Sequence, residues 1–295
     1  MFIERFIRYL QFEKRYSPHT LIAYRNDLQQ FHNFLKLSDL DFESVQHAHV
    51  RSWMVELLEQ NATAKSVNRK ISSLRSFYKF LKREHLVLNE PMAKLHAPKI
   101  PKRLPIVVED KKINTLLDSK EPEIFSNDFK GFRDRLVIEL LYGTGIRSAE
   151  LINLKETDIN TYEQHIKVLG KRNKERIIPV TKILLKLISD YLELKKTQNF
   201  HNNSVFLIVT NGGDVAYPKF IYRIVNSILS HISTNDKKSP HVLRHTFATV
   251  LLNNGAELNA IKELLGHASL AATQVYTHNS VERLKTIYKQ AHPKG

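Results

Sequence analysis

The sequence predicts a mainly α-helical chain of two domains, the second carrying a small antiparallel β-sheet. Three observations predict it. Apolar residues recur at intervals of three and four, with few turn signals, from residue 1 to about 96. A proline-punctuated stretch without helical period then interrupts the chain, and two short β-like runs flank a basic turn between His165 and Val180. At 295 residues the chain also exceeds what one hydrophobic core ordinarily organises.

In the first domain, Ser17 followed by Pro18 reads as a helix start. Leu21, Tyr24, Leu28, Phe31 and Leu35 then form one apolar stripe. A later helix, near Thr63 to Lys82, aligns Val67, Ile71, Leu74, Tyr78 and Leu81, leaving Lys65, Arg69, Ser72, Ser73 and Ser76 off that face. Such a basic, small-residue face suits solvent, or the phosphates of DNA. The segment EPMAKLHAPKIPKRLP, Glu90 to Pro105, reads as an extended linker. The expected division is 1–97, linker 98–106, and 107–295. Beyond it come helices at Glu109–Leu117 and Phe132–Tyr142, the strands HIKVL and RIIPV around the turn GKRNKE, helices from Lys182 onward, and an extended piece SVFLIV.

Composition narrows the functional classes. The 45 Lys and Arg against 30 Asp and Glu leave a net charge of +15 and a pI near 9.7, which favours a polyanionic partner. Nucleic acid is the first candidate. No apolar run reaches membrane-spanning length, and the opening MFIERFIRYLQFEKRY lacks a signal peptide's apolar core, so cytoplasmic, nucleoid-associated residence without a membrane partner is the expectation. Zero cysteines exclude disulfides, thiolate metal sites and cysteine nucleophiles.

Four clusters in the second domain carry chemistry. In YGTGIRSAELINL, Gly143 and Gly145 end a helix, and Arg147 opens the next with Glu150 three residues on. In GKRNKER, Lys171, Arg172, Lys174 and Arg176 crowd a hairpin tip, where solvation is the ordinary fate of basic residues. In HVLRHTFAT, His241 and Arg244 at i and i+3 share a helical face and can approach one anion together. His241 and His245 mimic a zinc-protease spacing, but Val242 stands where the general-base glutamate belongs; His245 is expected to pack or hydrogen-bond. In LLGHASLAATQVYTH, Gly266 caps a helix, His267 follows, and a new helix from about Ser269 carries Tyr276.

Together these motifs resemble the tyrosine site-specific recombinases of the phage integrase family, most closely the bacterial Xer type. The resemblance runs from SPHTLIAYRNDLQQFHNFL through GTGIRSAEL, GKRNKERIIPV, HVLRHTFAT and LLGHASLAATQVYTH to the closing HPKG. It implies an N-terminal helical, SAM-like core-binding domain and a C-terminal catalytic domain that form a C-shaped clamp around DNA. It also implies catalytic roles for Arg147, Lys171, His241, Arg244, His267 and the nucleophile Tyr276. Further implications are a double-stranded DNA recombination site, a homo- or hetero-tetramer on two sites that can include a second Xer recombinase, and a septal (FtsK-like) DNA translocase as activator. The implied activity is strand exchange through a 3′-phosphotyrosyl intermediate and a Holliday junction, resolving chromosome dimers at cell division.

The chemistry of the residues agrees. Direct phosphodiester transfer needs a nucleophile, stabilisation of a five-coordinate phosphorane, and an acid for the departing 5′ oxygen. Arg147 and Arg244 can hold the non-bridging oxygens with His267, His241 can accept the tyrosine proton or bond the phosphate, and Lys171 can protonate the leaving oxygen. Glu150 can orient the basic groups. No metal or other cofactor is called for, because cationic side chains take its place. A phage or transposon integrase is the nearest alternative, a type IB topoisomerase a more distant one; an architectural DNA-binding protein leaves the Arg, Lys, His, Arg, His, Tyr set unmotivated. The tail NSVERLKTIYKQAHPKG carries an apolar stripe through Val281, Leu284, Ile287 and Tyr288. It can pack on its own domain, whereas the resemblance favours docking on a neighbouring subunit.

Overall fold

A computed structural model of the chain describes residues 1–93, 95–100, 106–119, 124–170, 174–201, 204–235, 237–266 and 278–293. The chain separates into two compact units, Met1–Arg103 and Leu104–Gly295.

The first unit is helical: α1 (Phe2–Phe12), α2 (Pro18–Lys36), α3 (His47–Glu59) and α4 (Ala64–Arg83). The Ser17 hydroxyl accepts the Thr20 N–H at 3.3 Å, which satisfies one of the donors a helix start leaves open. Phe6, Leu28, Phe31, Trp53, Leu74 and Phe77 meet in its core. The α4 stripe expected from the sequence is buried, but Ser73 is buried with it. Its hydroxyl donates to Asp27 of α2 at 2.8 Å, and Arg69 and Lys70 pair with the same carboxylate. A carboxylate this enclosed is tolerated only when its oxygens are fully engaged, so α4 turns one polar edge inward. Lys65, Arg69, Ser72, Arg75 and Lys79 remain on the outer face.

The second unit contains α5 (Asp110–Asp118), α6 (Phe129–Thr144), α7 (Ser148–Ile152), a 3-10 turn (Glu156–Asp158), β1 (Ile159–Asn160), β2 (His165–Leu169) and β3 (Glu175–Pro179). They are followed by α8 (Lys182–Lys196), α9 (Pro218–Ser230), α10 (Pro240–Asn253), α11 (Leu258–Leu265) and α12 (His278–Ala291). The sheet is antiparallel in the order β1-β2-β3, with Ile166 opposite Ile178 and Val168 opposite Arg176. The mainly helical fold with a small antiparallel sheet is therefore observed. SVFLIV is extended but pairs only through isolated bridges, Lys155 with Phe206 and Val209 with Val215. Helix α6 is buried all round from Leu136 to Thr144, as a helix enclosed by others is, and starts earlier than its periodicity suggested because Asp128 accepts the Gly131 N–H at 2.8 Å.

The tail packs at home. Helix α12 buries Leu284, Tyr288 and Ala291 in the core of its own unit, the first of the two placements that the apolar stripe left open. The physical reason lies at the end of α6, whose last carbonyls lack helical partners. Tyr288 Oη donates to the Gly143 carbonyl at 2.7 Å, and His292 Nε2 lies 2.9 Å from the same oxygen.

Candidate active site

Residues 143–147 make the turn on which the site is built. Gly145 adopts φ +60°, which ends α6 and sends the chain back toward α7. Arg147 then stands at the N-cap of α7. Its backbone N–H donates to Glu150 Oε2 at 2.9 Å, and its Nη1 donates to Glu150 Oε1 at 2.7 Å. The three-residue spacing read from the sequence thus closes on itself at a helix start, where a carboxylate also complements the exposed N–H groups.

Three arginines converge on the end of α11. Arg176 Nε donates to the Leu264 carbonyl at 3.0 Å, Arg244 Nη2 to the Leu265 carbonyl at 2.6 Å, and Arg147 Nη2 to the Gly266 carbonyl at 3.0 Å. Consecutive carbonyls at the negative end of one helix are therefore each taken by a different guanidinium. Gly266 makes the approach feasible: its φ is +63°, and a Cβ there would lie 3.1 Å from Arg176 Cδ. Arg244 also donates to the Gly145 carbonyl, which ties α10 to the turn before Arg147.

The sequence expectation for Arg176 is corrected here. It does not belong to a solvated hairpin tip; it is buried and grips Glu150 with both terminal nitrogens, at 2.9 and 2.8 Å. Burial raises the Glu150 pKa, but hydrogen bonds and charge from Arg176 and Arg147 outweigh it and hold the carboxyl below its ordinary range. Burial, then the positive charge of Arg147, pushes Arg244 down to about 10, so it stays protonated at neutral pH. His241 sits exposed on the first turn of α10, one turn before Arg244. His245, expected to pack or hydrogen-bond, is exposed as well. The structure thus brings Arg147, Arg244 and Glu150 together. Lys171, Arg172, His267 and Tyr276 lie outside the described residues.

Residues 107–283 match the phage integrase family, and residues 3–85 match its N-terminal SAM-like domain. The chain belongs to the phage integrase family. Within it, the chain is 39% identical to the tyrosine recombinase XerC of Listeria innocua, over 99% of this chain and 97% of that one. It is 36% identical to XerC of Chlorobaculum parvum (99% and 94% covered) and 35% identical to XerD of Staphylococcus haemolyticus (99% of each). Among solved structures, the XerH site-specific recombinase bound to palindromic difH substrate shares the fold at TM-score 0.74 and 20% identity, covering 96% of this chain and 82% of that one. The Tn1549 transposon integrase in complex with transposon right end DNA does so at TM-score 0.73 and 16% identity, with 96% and 97% covered. This member of the phage integrase family is a site-specific tyrosine recombinase, an enzyme that breaks and rejoins DNA.

Proposed function

We propose that the chain exchanges DNA strands by direct transfer, with Tyr276 attacking the scissile phosphorus to form a 3′-phosphotyrosyl ester. In this reading Arg147, Arg244 and His267 hold the non-bridging oxygens. His241 takes the tyrosine proton or bonds the phosphate, and Lys171 protonates the departing 5′ oxygen. The observation that carries the reading is the meeting of Arg147 and Arg244 at adjacent carbonyls, Gly266 and Leu265, immediately before His267. Around that point three guanidinium groups face one carboxylate, a formal surplus of two positive charges. A phosphodiester carries one negative charge, and attack by a tyrosinate takes the phosphorane to two. A fixed cationic cluster, partly shielded from bulk water, stabilises that change more than water does.

The covalent ester explains the choice of tyrosine over water. Hydrolysis would discard the energy of the phosphodiester bond, whereas the ester keeps it for attack by a new 5′ hydroxyl, and strands are exchanged without ATP. By analogy with the XerC and XerD relatives, the substrate is a specific duplex site. The working unit is a tetramer on two such sites, built from this chain alone or with a second Xer recombinase. It acts in pairs of sites through a Holliday junction to resolve chromosome dimers, with a septal DNA translocase as activator. The charge of +15 supports a DNA partner.

A nicked suicide substrate tests the reading. Wild type should accumulate SDS-resistant protein–DNA adducts, and Tyr276→Phe should keep its DNA affinity and form none. Adducts at wild-type level in the variant sink the assignment of the nucleophile, and relaxation of supercoils on arbitrary sequence would point to a topoisomerase instead.

A further inference from the structure

We infer that Arg176 is a positioning residue for strand transfer, one that fixes the catalytic arginine and the segment leading to His267 without touching DNA itself; the inference rests on the transfer reading above. Arg176 lies on β3 with its side chain 5% exposed, and its Nε and both terminal nitrogens are already committed to the Leu264 carbonyl and to Glu150. What it does reach are the supports of the site. Both terminal nitrogens hold Glu150, the carboxylate that takes the Nη1 and backbone N–H of Arg147. Its Nε holds the Leu264 carbonyl, and its Cδ lies against Gly266, the residue before His267.

The third support is the hairpin. A Cβ on Gly170 would come within 3.7 Å of both Arg176 Nη1 and Glu150 Oε1, so the ion pair lies directly beside the residue that precedes Lys171. The Gly170 N–H donates to the Lys174 carbonyl at 2.8 Å, which closes the base of the hairpin over the pair. One guanidinium therefore touches the residue that orients Arg147 and the residues that immediately precede Lys171 and His267. Buried ion pairs contribute little net stability compared with apolar residues of the same volume, so stability alone is a weak reason for this one. Geometry is a better reason, because a planar fork with fixed donors sets the angle as well as the distance of its partner.

The test is a double-mutant cycle on single-turnover cleavage. Arg176→Gln should slow adduct formation by about tenfold to a hundredfold, the scale of a misplaced reacting group, while DNA affinity stays within about twofold. In an Arg147→Ala background, which lacks one of the groups being positioned, the same change should slow cleavage by a clearly smaller factor than in wild type, the remainder reporting the segments before Lys171 and His267. Arg176→Lys keeps the charge and one bond and should recover part of the rate. Glu150→Gln should slow cleavage in the same direction. If Arg176→Gln does not fold, Arg176→Lys and Glu150→Gln carry the same cycle. Wild-type rates in these variants, or slowing that multiplies in full on Arg147→Ala, would overturn the positioning role and leave the transfer reading intact. A wild-type chain that forms no adduct would overturn the transfer reading, and this role with it.

Discussion

Gly145→Ala should damage stability and catalysis through the same atoms. At φ +60° a residue with a Cβ costs about 1–2 kcal/mol relative to glycine. The added Cβ would also lie 2.5 Å from Phe247 Cδ1 and 2.8 Å from Leu265 Cδ2. Phe247 is fully enclosed and cannot swing clear, so overpacking adds about 1–3 kcal/mol. The expected loss is thus about 2–5 kcal/mol, which lowers the melting temperature of a unit this size by roughly 5–20 °C. The displaced residues are the ones that hold Arg244, through the carbonyls of Gly145 and Leu265. Cleavage should therefore fall even at temperatures where the variant is folded. Calorimetry or far-UV circular dichroism should be used for the melt, because the single tryptophan, Trp53, lies in the first unit and does not report on the second. A melting temperature within about 2 °C of wild type together with undiminished cleavage would refute both halves of the reasoning.

Three further outcomes are expected. Lys171→Ala should slow cleavage by about two to four orders of magnitude, and a bridging 5′-phosphorothiolate, which leaves without protonation, should restore much of the rate; a sulfur substrate no faster than the oxygen one assigns Lys171 another role. Tyr288→Phe removes one donor from the Gly143 carbonyl and should cost about 1 kcal/mol of second-unit stability, read by the same melts, while wild-type stability would place the tail's contribution elsewhere. Because the folded-state pKa of Glu150 is lowered, the stability of wild type over Glu150→Gln should be fully present above the ordinary carboxylate range and disappear as pH falls through the lowered value; a difference constant with pH would contradict the assigned charge.

The parts of the site legible in the sequence are those encoded within one helical turn. Arg147 and Glu150 are three apart at a helix start, His241 and Arg244 share a helix, and Gly145 and Gly266 stand where left-handed caps are needed. Contacts between distant segments were not legible. Ser73 read as outward-facing because its partner, Asp27, lies on another helix. Arg176 read as part of a basic tip, yet it stands two residues before the fully buried Ile178 on β3 and so shares its inward face. That alternation was the available signal, masked by the lysines and arginine around it. For the tail, periodicity revealed the apolar stripe of α12 but not its home, which depends on open carbonyls at the end of α6.

The manner in which the arginines are held bears on what they hold in turn. A guanidinium has five N–H donors, and a carboxylate that orients it also cancels its charge. In this site one carboxylate, Glu150, is shared by Arg147 and Arg176, while the oriented nitrogens of Arg244 rest on neutral carbonyls. Carbonyls fix direction and leave the cation uncancelled, with donors to spare. A buried cation held this way is expensive, as the drop of Arg244 to about 10 registers, and the cost is offset when an anion arrives to complete the shell. Arg147 keeps more of its surface open than Arg244, with its side chain 28% exposed. The pair therefore combines one arginine more open to approach with one more enclosed, the arrangement expected where an incoming phosphate supplies the missing negative charge.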